Sequence, residues 1–120
     1  FYDKVNGEFR FTLDVAATKE NTKCIRYFTE TIDALCKSWD NEIVWCNPPY
    51  GRALGKWVKK ASEAVGGVVV MLIPARTDTR YFHDYIYDKA EIRFIKGRLK
   101  FGDSKNSAPF PSMLVIFRNL

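Results

Sequence analysis

The stretch Ile43-Val44-Trp45-Cys46-Asn47-Pro48-Pro49-Tyr50-Gly51 constrains the fold of this 120-residue chain more than any other. A short apolar run stops abruptly at Asn, two prolines, Tyr and Gly. That pattern predicts a strand whose carboxyl end runs into a rigid turn. Each proline fixes φ at about −65° and pushes the residue before it out of the helical region, so no helix continues through this point. Ligands of open α/β sheets bind at the carboxyl ends of strands, which makes the turn the first candidate site.

The residue types in the turn suit a planar exocyclic amine such as that of adenine. The lone pair of that nitrogen is delocalised into the ring, and it is a poor nucleophile. The Asn47 amide oxygen can accept one amine hydrogen and the Pro48 carbonyl the other. Two fixed acceptors favour a nitrogen whose lone pair points at an incoming methyl group, a form of electrostatic preorganisation. Tyr50 offers a ring face to a base swung out of its stack, worth about 1–3 kcal/mol per stacked base. With proline at about 5% of residues, Asn-Pro-Pro-Tyr arises by chance in roughly one chain of this length in a few thousand. The motif resembles the catalytic motif of amino-group methyltransferases that use S-adenosylmethionine.

The rest of the chain predicts an α/β domain. Phe1, Tyr2, Val5 and Phe9 have the spacing of a helix tail. Residues 11–17 alternate and then turn small, as a strand ending in Asp14, Ala16 and Ala17. Residues 18–39 are expected to form loops with short helical turns. Leu54, Trp57, Val58, Ala61, Ala64 and Val65 mark an amphipathic helix within residues 52–65, with Gly66-Gly67 as its stop. The continuous apolar run 68–74 fits a central strand covered on both faces. A polar loop follows, then a short aromatic helix over 81–87 with Thr77 or Asp78 as its cap. Residues 91–95 alternate as a strand, 96–102 continue toward a second edge, 103–111 form a loop, and 112–118 are the closing strand. The path from Asp14 to Asn47 is short for a full doubly wound sheet, in which each βαβ unit takes about thirty residues or more, so the middle of the fold is expected to be abbreviated.

Lys and Arg number 19 against 14 Asp and Glu, a net charge of +5 that suits a polyanionic partner. Lys56, Lys59 and Lys60 form one basic cluster; Lys96, Arg98, Lys100 and Lys105 form another, and both are expected to flank one cleft. Arg76 and Arg80 are left between phosphate contacts and pairing with local acids. No apolar run of about eighteen residues and no signal-peptide pattern occurs, so a cytoplasmic protein without a membrane span is expected. Cys24, Cys36 and Cys46 form no C-x-x-C pair, and His83 is the one histidine. No metal site is expected; the cysteines are read as buried, reduced structural thiols and His83 as a surface or packing residue. The chain begins at Phe1 in an amphipathic segment, and family residues upstream of it are expected to be missing from a single domain spanning 1–120.

Taken together, Phe-Thr-Leu-Asp-Val-Ala-Ala at 11–17, Val-Trp-Cys-Asn-Pro-Pro-Tyr-Gly-Arg at 44–52 and Val-Met-Leu-Ile-Pro-Ala-Arg-Thr-Asp-Thr-Arg at 70–80 resemble the phage-type DNA N6-adenine methyltransferases, a Dam-like group. Gly-Arg-Leu-Lys-Phe-Gly at 97–102 and Ser-Ala-Pro-Phe-Pro-Ser at 107–112 extend the likeness along nearly the whole chain. The resemblance implies an abbreviated Rossmann-like methyltransferase fold, a mixed sheet flanked by helices whose closing strands are antiparallel. It implies methyl transfer from S-adenosylmethionine to the N6 amino group of adenine in DNA, in a bacterial host cell if the protein is phage-encoded. Asn47, Pro48, Pro49 and Tyr50 carry over as the catalytic turn. Asp14, Ala16 and Ala17 carry over as cofactor contacts, the alanines standing where glycines are usual, and Asp33 as the acid that meets the cofactor's adenine. Alone, Asp14 is equally a cap or turn residue and Asp33 a solvated surface acid. Arg98 and Lys100 are expected to neutralise DNA phosphate, and Phe101 and Phe110 to wall the base pocket, with core packing the other role for Phe110. Three alternatives stay open: adenine in RNA, glutamine side chains in protein, and a DNA-binding module that transfers nothing. The target DNA sequence, strand order and oligomeric state are not readable.

Overall fold

The longest apolar run of the chain becomes the middle of a sheet. A computed structural model describes residues 1–18, 20–29, 34–100 and 109–120. Its strands are β1 (Leu13–Asp14), β2 (Ile43–Cys46), β3 (Gly67–Pro74), β4 (Glu91–Phe94) and β5 (Ser112–Asn119), in the spatial order β1-β2-β3-β5-β4. β1, β2 and β3 are parallel, whereas β5 runs antiparallel to both β3 and β4. The antiparallel closing strands expected from the resemblance are therefore present in a five-stranded mixed sheet.

Alternation along the strands divides the core into two layers. Val69, Met71 and Ile73 of β3, with Met113, Val115 and Phe117 of β5, face a layer containing Leu54, Val58 and Ala61 of helix α2 (Leu54–Glu63). Val70 and Leu72, with Leu114, Ile116 and Trp45, face Val5 and Phe9 of α1 (Tyr2–Phe9), although α1 is numbered first in the chain. A strand buried on both faces reads as an unbroken apolar run, which is why β3 was legible. Among the described residues, the crossover from β1 to β2 contains one turn of 3₁₀-helix, Ala34–Cys36, in keeping with the expected abbreviation of the middle of the fold.

Local expectations failed where a side chain or backbone contact competed with periodicity. The strand expected over 11–17 is confined to Leu13–Asp14, because the Ala16 N–H turns back to Asp14 Oδ1 at 3.2 Å and the Ala17 N–H goes to the Phe28 carbonyl at 3.0 Å. Helix α2 ends at Glu63 and Ala64 is already extended (φ −64°, ψ 137°), so Gly66-Gly67 is not its stop. The glycines serve the start of β3: Gly66 has φ 80°, and a Cβ on Gly67 would collide with the Glu42 backbone. Thr79, not Thr77 or Asp78, caps the aromatic helical segment, its Oγ1 accepting the Phe82 N–H at 3.3 Å. That segment, Phe82–Ile86, is wound as a π-helix. Past β4, the Ile95 N–H still reaches the Ser112 carbonyl, but Gly97 turns the chain at φ 79° and residues 98–100 add no strand. Cys46 is buried and Cys24 half-buried, but Cys36 is exposed, which corrects the expectation of three buried thiols. His83 is exposed, with Nε2 2.8 Å from the Thr77 carbonyl oxygen. No helix among the described residues is long and apolar enough to cross a membrane.

Candidate active site

The carboxyl ends of β1 and β2 lie side by side, and a cavity of about 710 Å³ opens over them. Val15 to Thr18 wall one side, Asn47 to Tyr50 the other, and Ala34, Leu35 and Trp57 contribute apolar surface. This is where an open α/β sheet holds its ligand. The turn and the small residues after Asp14, far apart in sequence, thus share one cavity.

Prolines determine how the turn is held. Pro48 is buried and Pro49 exposed, and neither has an N–H to bond the neighbouring strand. The Tyr50 hydroxyl supplies the missing donor, lying 3.0 Å from Asn47 Oδ1 and 3.1 Å from the carbonyl oxygen of Leu72 on β3. Leu72 is one position beyond the last β2–β3 register pair, Cys46 with Met71, so the phenol takes over where backbone pairing stops. Burial, with a smaller contribution from Cys46, pushes the Tyr50 hydroxyl up to about 12, and it stays a protonated donor across neutral pH. Gly51 closes the turn at φ 135°, a conformation open to glycine.

Asp14 is only 3% exposed and stands behind the cavity wall. Its Oδ1 accepts the Ala16 N–H at 3.2 Å and its Oδ2 the Lys23 N–H at 3.0 Å. Burial raises its carboxyl above the ordinary range, and those two backbone bonds work against the rise. Backbone bonds to Arg26 and Phe28 lay residues 26–28 beside β1, with a bridge from Asp14 to Tyr27. Asp14 therefore fixes the backbone from which Ala16 and Ala17 face the cavity. Thr18 and Asn21 hold its rim through reciprocal backbone-to-side-chain bonds at 2.6 and 3.2 Å.

Phe110, half-buried, meets Tyr50 edge to face with centroids 5.5 Å apart, and the Arg76 guanidinium lies 5.7 Å from the Phe110 centroid. Phe110 thus packs against the turn through Tyr50. Arg98 and Lys100 are exposed and do not line the cavity, while Leu99 between them packs with the α1 layer. Asp33 and Phe101 lie outside the described residues, as does Lys105. Sequence periodicity missed Trp57, which looked like one more core position of α2 yet reaches the cavity wall. Arg76, left between phosphate contacts and pairing with acids, rests against the Phe110 ring.

Over 93 residues the chain is 36% identical to a DNA N-6-adenine-methyltransferase of Escherichia phage T1; the match covers 75% of this chain and 39% of that protein. The chain therefore spans well under half the length of this curated relative. The family model described as DNA N-6-adenine-methyltransferase (Dam) matches residues 1–120, and the chain belongs to that family.

Proposed function

We propose that this chain forms the catalytic half-site and cofactor cleft of a Rossmann-like methyltransferase that methylates the N6 amino group of adenine in DNA, with S-adenosylmethionine as the donor. The observation that carries the proposal is that Asn47 to Tyr50 and Ala16 and Ala17 line one cavity. Family membership supports the adenine and DNA assignments.

The cavity fits the donor in size, since pockets for ligands of this class run about 300–1,000 Å³. Ala16 and Ala17 present little side chain, so the backbone after β1 can approach the methionine portion closely. Leu35, Trp57 and Pro49 give apolar surface for a planar ring, and Thr18 and Asn21 put polar groups at the rim. When bound, S-adenosylmethionine supplies an electrophilic methyl carbon whose bond to sulfur breaks as its bond to the amine nitrogen forms.

Everything else falls to the chain's own groups. Asn47 Oδ1 has two lone pairs; the Tyr50 hydroxyl occupies at most one, leaving the other for an amine hydrogen. The Pro48 carbonyl accepts the second hydrogen. With both hydrogens held, the amine nitrogen is drawn out of ring conjugation and its lone pair is aimed at the methyl carbon. No strong base is needed first, because the amine becomes acidic only as it gains the methyl group, and the released proton passes from the Asn47 side to water. The Tyr50 ring face and the Phe110 edge exclude water from the extruded base.

The test is methyl incorporation from labelled S-adenosylmethionine into duplex DNA, RNA and a protein extract, with wild type and Asn47→Ala. Label in the N6 position of DNA adenine, lost in a folded Asn47→Ala protein, is expected. Full activity of that variant, or label confined to RNA or protein, would overturn the assignment.

A further inference from the structure

A second concavity, of about 390 Å³, opens on the other side of the same turn. Asn47 to Tyr50 face the large cavity; Gly51 and Arg52, the next residues, line this one. Its walls are the amino-terminal half of α2, which brings Lys56 and Lys59, and the start of the aromatic helical segment, which brings Arg80. Lys56 and Lys59, three apart on α2, lie on one helix face, and Arg52 from the turn before the helix and Arg80 line the same concavity.

Three of the chain's other arginines are held in ion pairs. Arg26 pairs with Glu42, Arg93 with Glu8 and Glu91, and Arg118 with Glu91. None of Arg52, Lys56, Lys59 or Arg80 forms an ion pair with a described residue. Asp84 is the one acid in the wall, so most of the chain's net charge of +5 could be matched by this single concavity. Like charges gathered this closely repel and cost stability unless a polyanion neutralises them. The N-cap of α2 is Ala53, which offers no side-chain oxygen, so the helix start is held by backbone bonds alone, the Leu54 N–H on the Gly51 carbonyl at 3.1 Å.

We propose that this groove binds the phosphate backbone of the DNA strand carrying the target adenine. The inference rests on the proposed DNA methyltransferase activity for the identity of the polyanion. An extruded nucleotide stays covalently attached to its flanking phosphates, and those phosphates must lie next to the amine site. The groove is contiguous with the turn that makes that site, so the base enters on one side while the backbone rests on the other. This assigns phosphate contacts to a surface separate from Arg98 and Lys100.

The experiment uses the full chain and a fluorescent DNA duplex, with anisotropy measured across a salt series. It compares wild type, Lys56→Gln with Lys59→Gln, Arg80→Gln, and Lys4→Gln on the α1 layer as a charge control. Each phosphate contact removed lowers the log–log salt slope by about 0.9, so the double variant should lose about two units of slope and roughly tenfold in affinity. Arg80→Gln should lose about one unit and Lys4→Gln none. Thermal midpoints should stay at or rise slightly above the wild-type value, because the variants relieve like-charge repulsion, and affinity for S-adenosylmethionine should be unchanged. Unchanged slope in the groove variants, or equal loss in Lys4→Gln, overturns the inference even if wild type methylates DNA. If wild type transfers no methyl group to DNA yet the groove variants lose slope as stated, the activity proposal fails and the groove assignment stands.

Discussion

Replacing Tyr50 with Phe removes one oxygen and tests how the turn is held. The phenol has one proton and two acceptors, Asn47 Oδ1 at 3.0 Å and the Leu72 carbonyl at 3.1 Å. A single hydrogen bond of this kind is worth about 0.5–1.5 kcal/mol net. Leu72 is buried, and leaving its carbonyl short of a donor adds a cost at the low end of about 1–3 kcal/mol, because the oxygen has a second lone pair. The expected loss is about 1.5–2.5 kcal/mol, each kcal/mol lowering the melting temperature by about 3–6 °C for a chain of this size. The ring remains to stack on the base and to meet Phe110 edge to face, so KM for DNA should hold. The Asn47 amide loses the contact that orients it, and kcat should fall about three- to tenfold, equivalent to about 0.7–1.4 kcal/mol. Calorimetric melting and single-turnover methylation of a duplex measure both effects. A variant with wild-type melting temperature and wild-type kcat would refute the positioning role, and so would a raised KM with kcat intact.

Further outcomes follow from the same geometry. Because the Tyr50 hydroxyl is raised to about 12 in the folded chain, its stabilising share is intact below the ordinary tyrosine pKa of about 10 and is lost as pH climbs toward 12. The denaturation midpoints of wild type and Tyr50→Phe should therefore converge over that window; divergence would contradict the shift. Asp14→Asn leaves either the Ala16 or the Lys23 N–H facing an amide NH₂, and should cost about 1–2 kcal/mol in urea unfolding while weakening S-adenosylmethionine binding by calorimetry. Binding at full strength would separate Asp14 from the cleft. Gly67→Ala drives a Cβ into the Glu42 backbone and should destabilise by about 1–3 kcal/mol, with an unchanged urea midpoint counting against the close approach. Arg93→Ala unties Glu8 of α1 from Glu91 of β4 and should lower the melting temperature at neutral pH. Both carboxyls are held below their ordinary range, so that difference should shrink as pH falls through their depressed values, and a constant difference would exclude the pairing as its cause.

What was legible from sequence was what rests on local chemistry. Two prolines after an apolar run leave few backbone choices, so the end of β2 was readable to the residue. The strand 68–74 was readable because burial on both faces removes alternation. Gly66-Gly67 misled because a glycine pair after a helix looks the same whether it ends the helix or clears space for Asn41 and Glu42. Thr79 was passed over as a cap because helix periodicity does not tell which of several polar residues turns its oxygen inward. Asp14 illustrates the limit best: the family resemblance marked it for the cleft, but which way its carboxylate points depends on Lys23 and Phe28 folding back across β1. Arg52, Lys56, Lys59 and Arg80 form one groove only because the π-helical segment packs beside α2, a long-range contact with no local signature.

The sheet is unequally fastened. β3 and β5 pair along their whole lengths, from Gly67 with Asn119 to Pro74 with Ser112, whereas β1 meets β2 only at Leu13 with Val44 and Asp14 with Trp45. The wall formed by residues 15–18 thus hangs from the weakest seam in the domain. Amide hydrogens around β1 should exchange through local opening, well before those of β3 and β5, whose exchange requires unfolding of the whole. A molecule touching both walls would act as the missing fastener, slowing exchange around β1 far more than in the centre. Warming should therefore abolish ligand binding at temperatures where the bulk of the sheet is still folded.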